Sequence, residues 1–169
     1  MKALIAYYSR SGENYCSSSI KKLDQGNTER VAEFIQETIG GDLFEIKPEK
    51  DYPEDYYETT DVAKQELRQK VRPAIKEVPD VSGCDTIFVG YPNWWGTCPM
   101  VVFTFLDSID TAGKRIIPFC TNEGSGMGRS EKDLKTLYPE ATVEKGLSIH
   151  GTEAAHSQAT VAAWARQLA

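Results

Sequence analysis

The sequence predicts a doubly wound α/β sandwich, a parallel sheet with helices packed on both faces. Two observations carry that prediction. Short β-rich runs alternate with helical patterns from end to end of the 169 residues. Three of those runs, around Leu4-Ile5-Ala6, Ile87-Phe88-Val89 and Ile116-Ile117, are continuously apolar. A strand that is apolar on both faces is buried on both, which calls for a parallel sheet under two layers of helix. Parallel neighbours need crossover connections, and the alternation supplies them.

The candidate strands are Lys2–Ser9, Leu43–Lys47, Thr86–Tyr91, Arg115–Cys120 and Thr142–Ser148. Helices are predicted near Thr28–Ile39, Asp61–Arg72, Met100–Ser108, Glu131–Leu137 and Ala155–Leu168. In the first, Val31, Phe34 and Ile35 fall three and four residues apart, and Thr38 and Ile39 continue the stripe. Gly40-Gly41 then ends it, as glycine does at a helix C-terminus. No repeat or low-complexity linker divides the chain, so residues 1–169 read as one domain with room for a sizeable core.

Composition narrows the function classes. Hydrophobic residues at 40% and charged residues at 26% are ordinary for a globular protein. A formal charge of −6 counts against a nucleic-acid binder, which needs a basic face, and suits a chain that docks basic partners or simply stays soluble. Ala3–Tyr8 is too short and poorly flanked for a signal peptide, and no stretch approaches a membrane span. Cys16, Cys84, Cys98 and Cys120 form no CxxC pair, and only His150 and His156 are available to help them hold a metal. The expectation is reduced thiols in a cytoplasmic protein without a metal centre.

In a doubly wound sheet, ligands sit beyond the carboxyl ends of the strands where strand order reverses. The unusual residues collect in three such loops. After the first strand, Ser9-Arg10-Ser11-Gly12 and Asn27-Thr28 read as two halves of a phosphate cradle on a helix N-terminus, split by Glu13–Gly26. After the third, Pro92-Asn93-Trp94-Trp95-Gly96-Thr97 offers adjacent indoles that cannot both enter a core and that favour stacking on a flat ring. After the fourth, Thr121-Asn122-Glu123-Gly124-Ser125-Gly126 opens backbone N–H and C=O groups to an edge-on partner. There is no Walker A pattern, and no GxGxxG follows the first strand, which counts against a nucleoside triphosphatase and a nicotinamide dinucleotide fold. A phosphate cradle, a flat clamp and an edge reader together match a mononucleotide with a planar heterocycle.

With those loops in place, the chain resembles the flavodoxin family over essentially its whole length, and more closely a bacterial branch of it. The resemblance rests on Tyr8-Ser9-Arg10-Ser11-Gly12, Gly26-Asn27-Thr28, Pro92 to Thr97, and Pro118-Phe119-Cys120-Thr121 through Gly126. Asp42 to Ile46 followed by Tyr52-Pro53 adds to it. It implies a five-stranded sheet in the order 2-1-3-4-5 and noncovalent FMN. It places the phosphate on Ser9, Ser11, Gly12, Asn27 and Thr28, with Asn14 and Tyr15 in reach if the split segment loops out and returns. Trp94 and Trp95 would flank the isoalloxazine, Pro92, Asn93 and Gly96 would shape their loop, and Thr121, Gly124, Ser125 and Gly126 would line the opposite edge. The departure from the family pattern is the split itself, since members commonly have a continuous phosphate turn.

The function this implies is electron carriage with FMN and no acid–base residue. An NAD(P)H-dependent quinone or azo reductase using the same flavin, or a flavin-free binding module, are the alternatives. The acidic stretch Glu49–Asp61 reads either as a solvated loop or as a docking face for a basic reductase or acceptor, and its Tyr52, Tyr56 and Tyr57 as possible walls of the flavin site. The chain would act as a monomer or homodimer. His150, after the fifth strand, is read as lying away from the three loops, Glu123 as a solvated or potential-tuning charge, and Cys98 and Cys120 as buried, inert thiols.

Overall fold

A computed structural model describes all 169 residues. Its central sheet contains β1 (Ala3–Tyr7), β4 (Asp42–Glu45), β5 (Thr86–Pro92), β6 (Arg115–Asn122), β7 (Thr142–Val143) and β8 (Leu147–His150). The order is β4-β1-β5-β6-β7, with β8 also on β6, and every pairing is parallel. Counting strands as the sequence predicts them, this is the expected 2-1-3-4-5.

Alternate residues of each central strand face opposite cores. Leu4, Ala6, Ile87, Val89, Ile116 and Cys120 join one apolar cluster, with α3 (Met100–Asp107) and Leu134 of α4 (Ser130–Leu137). Ile5, Tyr7, Phe88, Ile117 and Phe119 join the other, with α1 (Asn27–Ile39) and α5 (Gln158–Leu168). Period-two alternation in strands apolar on both faces thus builds two cores on one sheet. At Gly90 a Cβ would come 2.1 Å from the Phe119 ring, so the missing side chain is what lets that ring cross its neighbour strand.

Four elements differ from prediction. The split segment is not a simple loop. It forms an antiparallel hairpin, β2 (Gly12–Cys16) and β3 (Ser19–Leu23), turning at Ser17 and Ser18 with φ of 48° and 73°. Two positive φ values at a two-residue turn match the twist of the flanking strands. The fifth strand breaks in two because Glu144–Gly146 face only Ile117 and Pro118, a one-residue bulge opposite a proline that has no N–H to give. Finally, α2 (Tyr56–Gln69) starts five residues before Asp61, because Asp55 caps it by accepting from Glu58 N at 2.8 Å. The predicted last helix is preceded by a 3₁₀ turn, Gly151–His156, with α5 beginning at Gln158. No helix is long and apolar enough to cross a membrane.

Candidate functional site

The carboxyl ends of β1, β5 and β6, together with the hairpin and the start of α2, enclose two adjoining cavities. The larger, about 450 Å³, is lined by Arg10, Tyr15, Tyr56, Tyr57, Thr59, Thr60, Ala63, Asn93, Trp94 and Trp95. The smaller, about 210 Å³, is walled by Asn14, Asn27, Thr121, Asn122, Glu123 and Ser125, with Gly151 at its edge. Tyr15, Tyr56, Asn93 and Trp94 border both, so the two form one aromatic-to-polar trough.

The polar end is built on α1. Its N-cap, Gly26, provides no side chain, and Ser9 Oγ accepts from Glu29 N at 3.1 Å in its place. A Cβ on Gly26 would lie 2.1 Å from that oxygen, so glycine is what allows the β1 loop to close onto the helix. The N–H groups of Asn27 and Thr28 have no helical partner, which leaves the positive end of the helix open to an anion. Thr28 is buried, and its hydroxyl meets that of Thr121 at 2.8 Å, joining α1 to β6. No lysine or arginine lines this cavity, so any anion here is held by neutral donors.

The aromatic end contains two tryptophans in different roles. Trp94 packs edge-on against Tyr8 and Tyr52, with ring centres 5.3 and 5.0 Å away, and is wedged into the core. Trp95 is 47% exposed and holds φ at 56°, a left-handed conformation uncommon for a bulky side chain. Its Nε1 donates to Thr60 O at 2.9 Å, and Lys64 Nζ lies 5.0 Å from its ring centre. The strain is fixed by a tight turn in which Trp94 and Thr97 exchange backbone hydrogen bonds across Trp95-Gly96. Asn93 clamps that turn: its Oδ1 accepts from Gly96 N at 2.8 Å and its Nδ2 donates to Gly126 O at 2.9 Å.

The hairpin provides the third wall. Arg10 donates to Glu13 O, Pro53 O and Glu54 O, and Glu13 Oε1 accepts from Tyr56 N, which ties β2 to the start of α2. At the hairpin tip, Ser17 N donates to Glu123 Oε1 at 3.2 Å.

The flavodoxin profile matches residues 2–168. The chain belongs to the flavodoxin family. Among solved structures, a protein designated a flavoprotein from Bacteroides uniformis ATCC 8492 is 32% identical, with a TM-score of 0.78 over 98% of this chain and 97% of its own. Another so designated, from Bacteroides eggerthii DSM 20697, is 30% identical, with the same TM-score over 98% and 96%. A flavoprotein from Lactobacillus acidophilus NCFM, solved in complex with FMN, shares the fold at 22% identity and a TM-score of 0.67, over 94% and 98%. No protein of curated function matches.

Against this flavodoxin frame, the expected residues assemble unevenly. Asn14, Asn27, Pro92, Asn93, Trp94, Thr121 and Ser125 all border the trough, and Trp95 borders its aromatic part. Ser9 sits on the helix cap, while Ser11 is exposed and faces a separate polar cleft with Glu45, Lys47, Asp51 and Lys76. Gly12 opens the hairpin with φ of 78°, and Gly124 and Gly126 shape their loop, with φ of 110° and 67°, rather than lining the trough. Tyr56 and Tyr57 do wall the cavity, whereas Tyr52 backs Trp94 from the core.

Sequence reasoning missed two residues and misplaced one. Asn122 Oδ1 accepts from Gly124 N and Gly126 N, both at 3.0 Å, and so rigidifies the loop; asparagine two residues before glycine is the signal for such a turn. Arg10 is the anchor described above. His150 is not remote: its Nδ1 lies 2.9 Å from Glu123 Oε2, beside the polar cavity, because β8 runs parallel to β6 and ends level with it. Glu123 is correspondingly not a solvated loop charge, its side chain being only 20% exposed. Cys98 and Cys120 are buried as expected, and burial pushes Cys120 up to about 12 and Cys98 well above its ordinary range.

Proposed function

We propose that this flavodoxin-family protein binds FMN in the trough and passes electrons to a protein partner. The observation that carries the reading is the continuity of the trough, with the unpaired first N–H groups of α1 and neutral donors at one end and aromatic walls at the other. That donor set fits the group. The free N–H groups of Asn27 and Thr28 suit its phosphate, the amides and hydroxyls of Asn14, Asn27, Thr121 and Ser125 suit its polyol, and Tyr15, Tyr56, Trp94 and Trp95 suit its ring system. FMN, when bound, supplies the one- and two-electron chemistry that side chains lack.

The chain's own work is positioning. Asn93 and Asn122 lock the two loops that face the ring, and Trp94 sets the depth of the trough because its three-ring cluster fixes it. Exposed Tyr15, Tyr57 and Trp95 surround the mouth at 41%, 62% and 47% exposure, next to the acidic segment from Glu49 to Asp61. Such a rim fits a partner with an apolar centre and basic surround, for example a basic reductase or acceptor, drawn in by charge complementarity.

A second reading uses the same cavity: NAD(P)H-dependent reduction of a quinone or azo compound. The aromatic lining of its larger part, with Tyr57 and Trp95 exposed at 62% and 47%, favours a planar acceptor there. Titrating apoprotein with FMN, followed by flavin fluorescence and visible absorption, tests the shared claim, and no binding overturns it. Steady-state NAD(P)H oxidation with a quinone and purified protein alone separates the two. Turnover without a partner supports the reductase, and its absence supports the carrier.

A further inference from the structure

We propose that His150 and Glu123 form a proton-dependent pair that sets how tightly the polar cavity holds a dianionic ligand; the inference rests on the FMN reading above. Glu123 and Asn27, the first residue of α1, both line the polar cavity. The two side chains converge: a Cβ placed on Gly151 would come 2.8 Å from Asn27 Nδ2 and 3.6 Å from Glu123 Cδ. A phosphate gathered at Asn27 and Thr28 is therefore a near neighbour of this carboxylate. No cation lines the cavity to offset it.

His150 is the one group placed to do so. Its Nδ1 faces two oxygens, Glu123 Oε2 at 2.9 Å and Thr152 Oγ1. With a proton on Nδ1, the ring donates to the carboxylate, and in the imidazolium form it cancels the carboxylate's charge. With Nδ1 bare, the ring accepts from the Thr152 hydroxyl, and Glu123 Oε2, shut off from solvent, has no donor at all. The carboxylate then directs its full charge at the cavity. Oε1 remains tied to Ser17 N of the hairpin in both states, so Glu123 cannot swing away without releasing that wall.

Other titratable groups surround the pair. On the hairpin, the Cys16 thiol is raised by burial and by Glu123, while Lys21 opposes the rise. On α1, the Glu29 carboxylate is engaged by the Tyr7 hydroxyl at 3.2 Å. The 3₁₀ turn that follows His150 carries Glu153 and His156. An imidazole changes charge between about pH 5 and 8. Charging of His150 should therefore strengthen FMN binding and have little effect on riboflavin, which has no phosphate.

The experiment measures dissociation constants of FMN and riboflavin at pH 6 and pH 8 for the wild type, His150→Gln and Glu123→Gln. Taking His150→Gln as the background that absorbs titration of the phosphate itself, wild-type FMN affinity should fall by a further fivefold or more, about one coupling kcal/mol, from pH 6 to 8. Glu123→Gln should remove that excess fall and bind FMN more tightly at pH 8, while riboflavin shows no excess in any form. FMN binding with the same pH ratio in wild type and His150→Gln overturns the pair, whereas no FMN binding at either pH overturns the cofactor reading.

Discussion

Thr28 Oγ1 and Thr121 Oγ1 lie 2.8 Å apart in a buried contact, ninety-three residues apart in sequence, tying the first turn of α1 to the end of β6. It is a long-range bond placed where the proposed phosphate and polyol sites meet. Thr28→Val keeps the shape but leaves the Thr121 hydroxyl buried and unpaired. The variant should lose about 1–3 kcal/mol, read as a lower urea midpoint. Thr28→Val/Thr121→Val should lose less than the two single changes together, because neither partner is then stranded. Strict additivity would show that the hydroxyls do not depend on each other.

Gly26 is required for contact rather than conformation. Its φ of −66° is open to any residue, yet an added Cβ would lie 2.1 Å from Ser9 Oγ and 2.7 Å from Arg10 O. Gly26→Ala should therefore push the β1 loop off α1, costing about 1–3 kcal/mol and lowering FMN affinity. A variant with wild-type stability and binding would mean the cradle is looser than its geometry indicates.

The parallel sheet and its two cores were legible because their signal is local, since apolar runs such as Ile87-Phe88-Val89 call for burial on both faces, whereas the strand order rested on the flavodoxin resemblance. The loop residues were legible as a set because two adjacent indoles cannot both enter a core: Trp94 packs on Tyr8 and Tyr52 while Trp95 stays 47% exposed. The hairpin was not, because Glu13-Asn14-Tyr15 and Ile20-Lys21-Lys22 carry no clean alternation and pair only with each other. His150 was misplaced because its position depends on β8 running level with β6 after a bulge opposite Pro118, a tertiary outcome that no local pattern announces. The early start of α2 was written in Asp55 and Glu58, but an acidic run masked the cap.

The two tryptophans should separate stability from binding. Trp94→Leu removes a ring from the cluster with Tyr8 and Tyr52 and should cost a few kcal/mol, on the order of other large-to-small core changes. Trp95→Gly should behave in the opposite way. It relieves a left-handed φ of 56° at an exposed site, so the urea midpoint should hold or rise, while loss of the indole wall weakens FMN binding roughly two- to tenfold. A lower midpoint in Trp95→Gly, or unchanged FMN affinity, would contradict this division.

The buried thiols give a pH dependence of known sign. Burial holds Cys120 protonated up to about 12 and Cys98 well above its ordinary range, whereas in the unfolded chain both ionise near pH 8.5. Folded and unfolded chains bind the same protons at these sites below pH 8, so the stability they contribute is complete there. Above that, only the unfolded chain loses protons, and stability falls as pH rises toward 12, at up to about 1.4 kcal/mol per pH unit for each thiol. Urea midpoints at pH 7, 8, 9 and 10 should stay level across the first two and then decline, and Cys98→Ala/Cys120→Ala should flatten the decline up to pH 10, where buried tyrosines begin to add their own. At pH 8 a thiol reagent should leave Cys98 and Cys120 unlabelled in the native protein and label all four cysteines in urea. Rapid native labelling of Cys120, or an undiminished slope in the double variant, would show that the thiols are not the source.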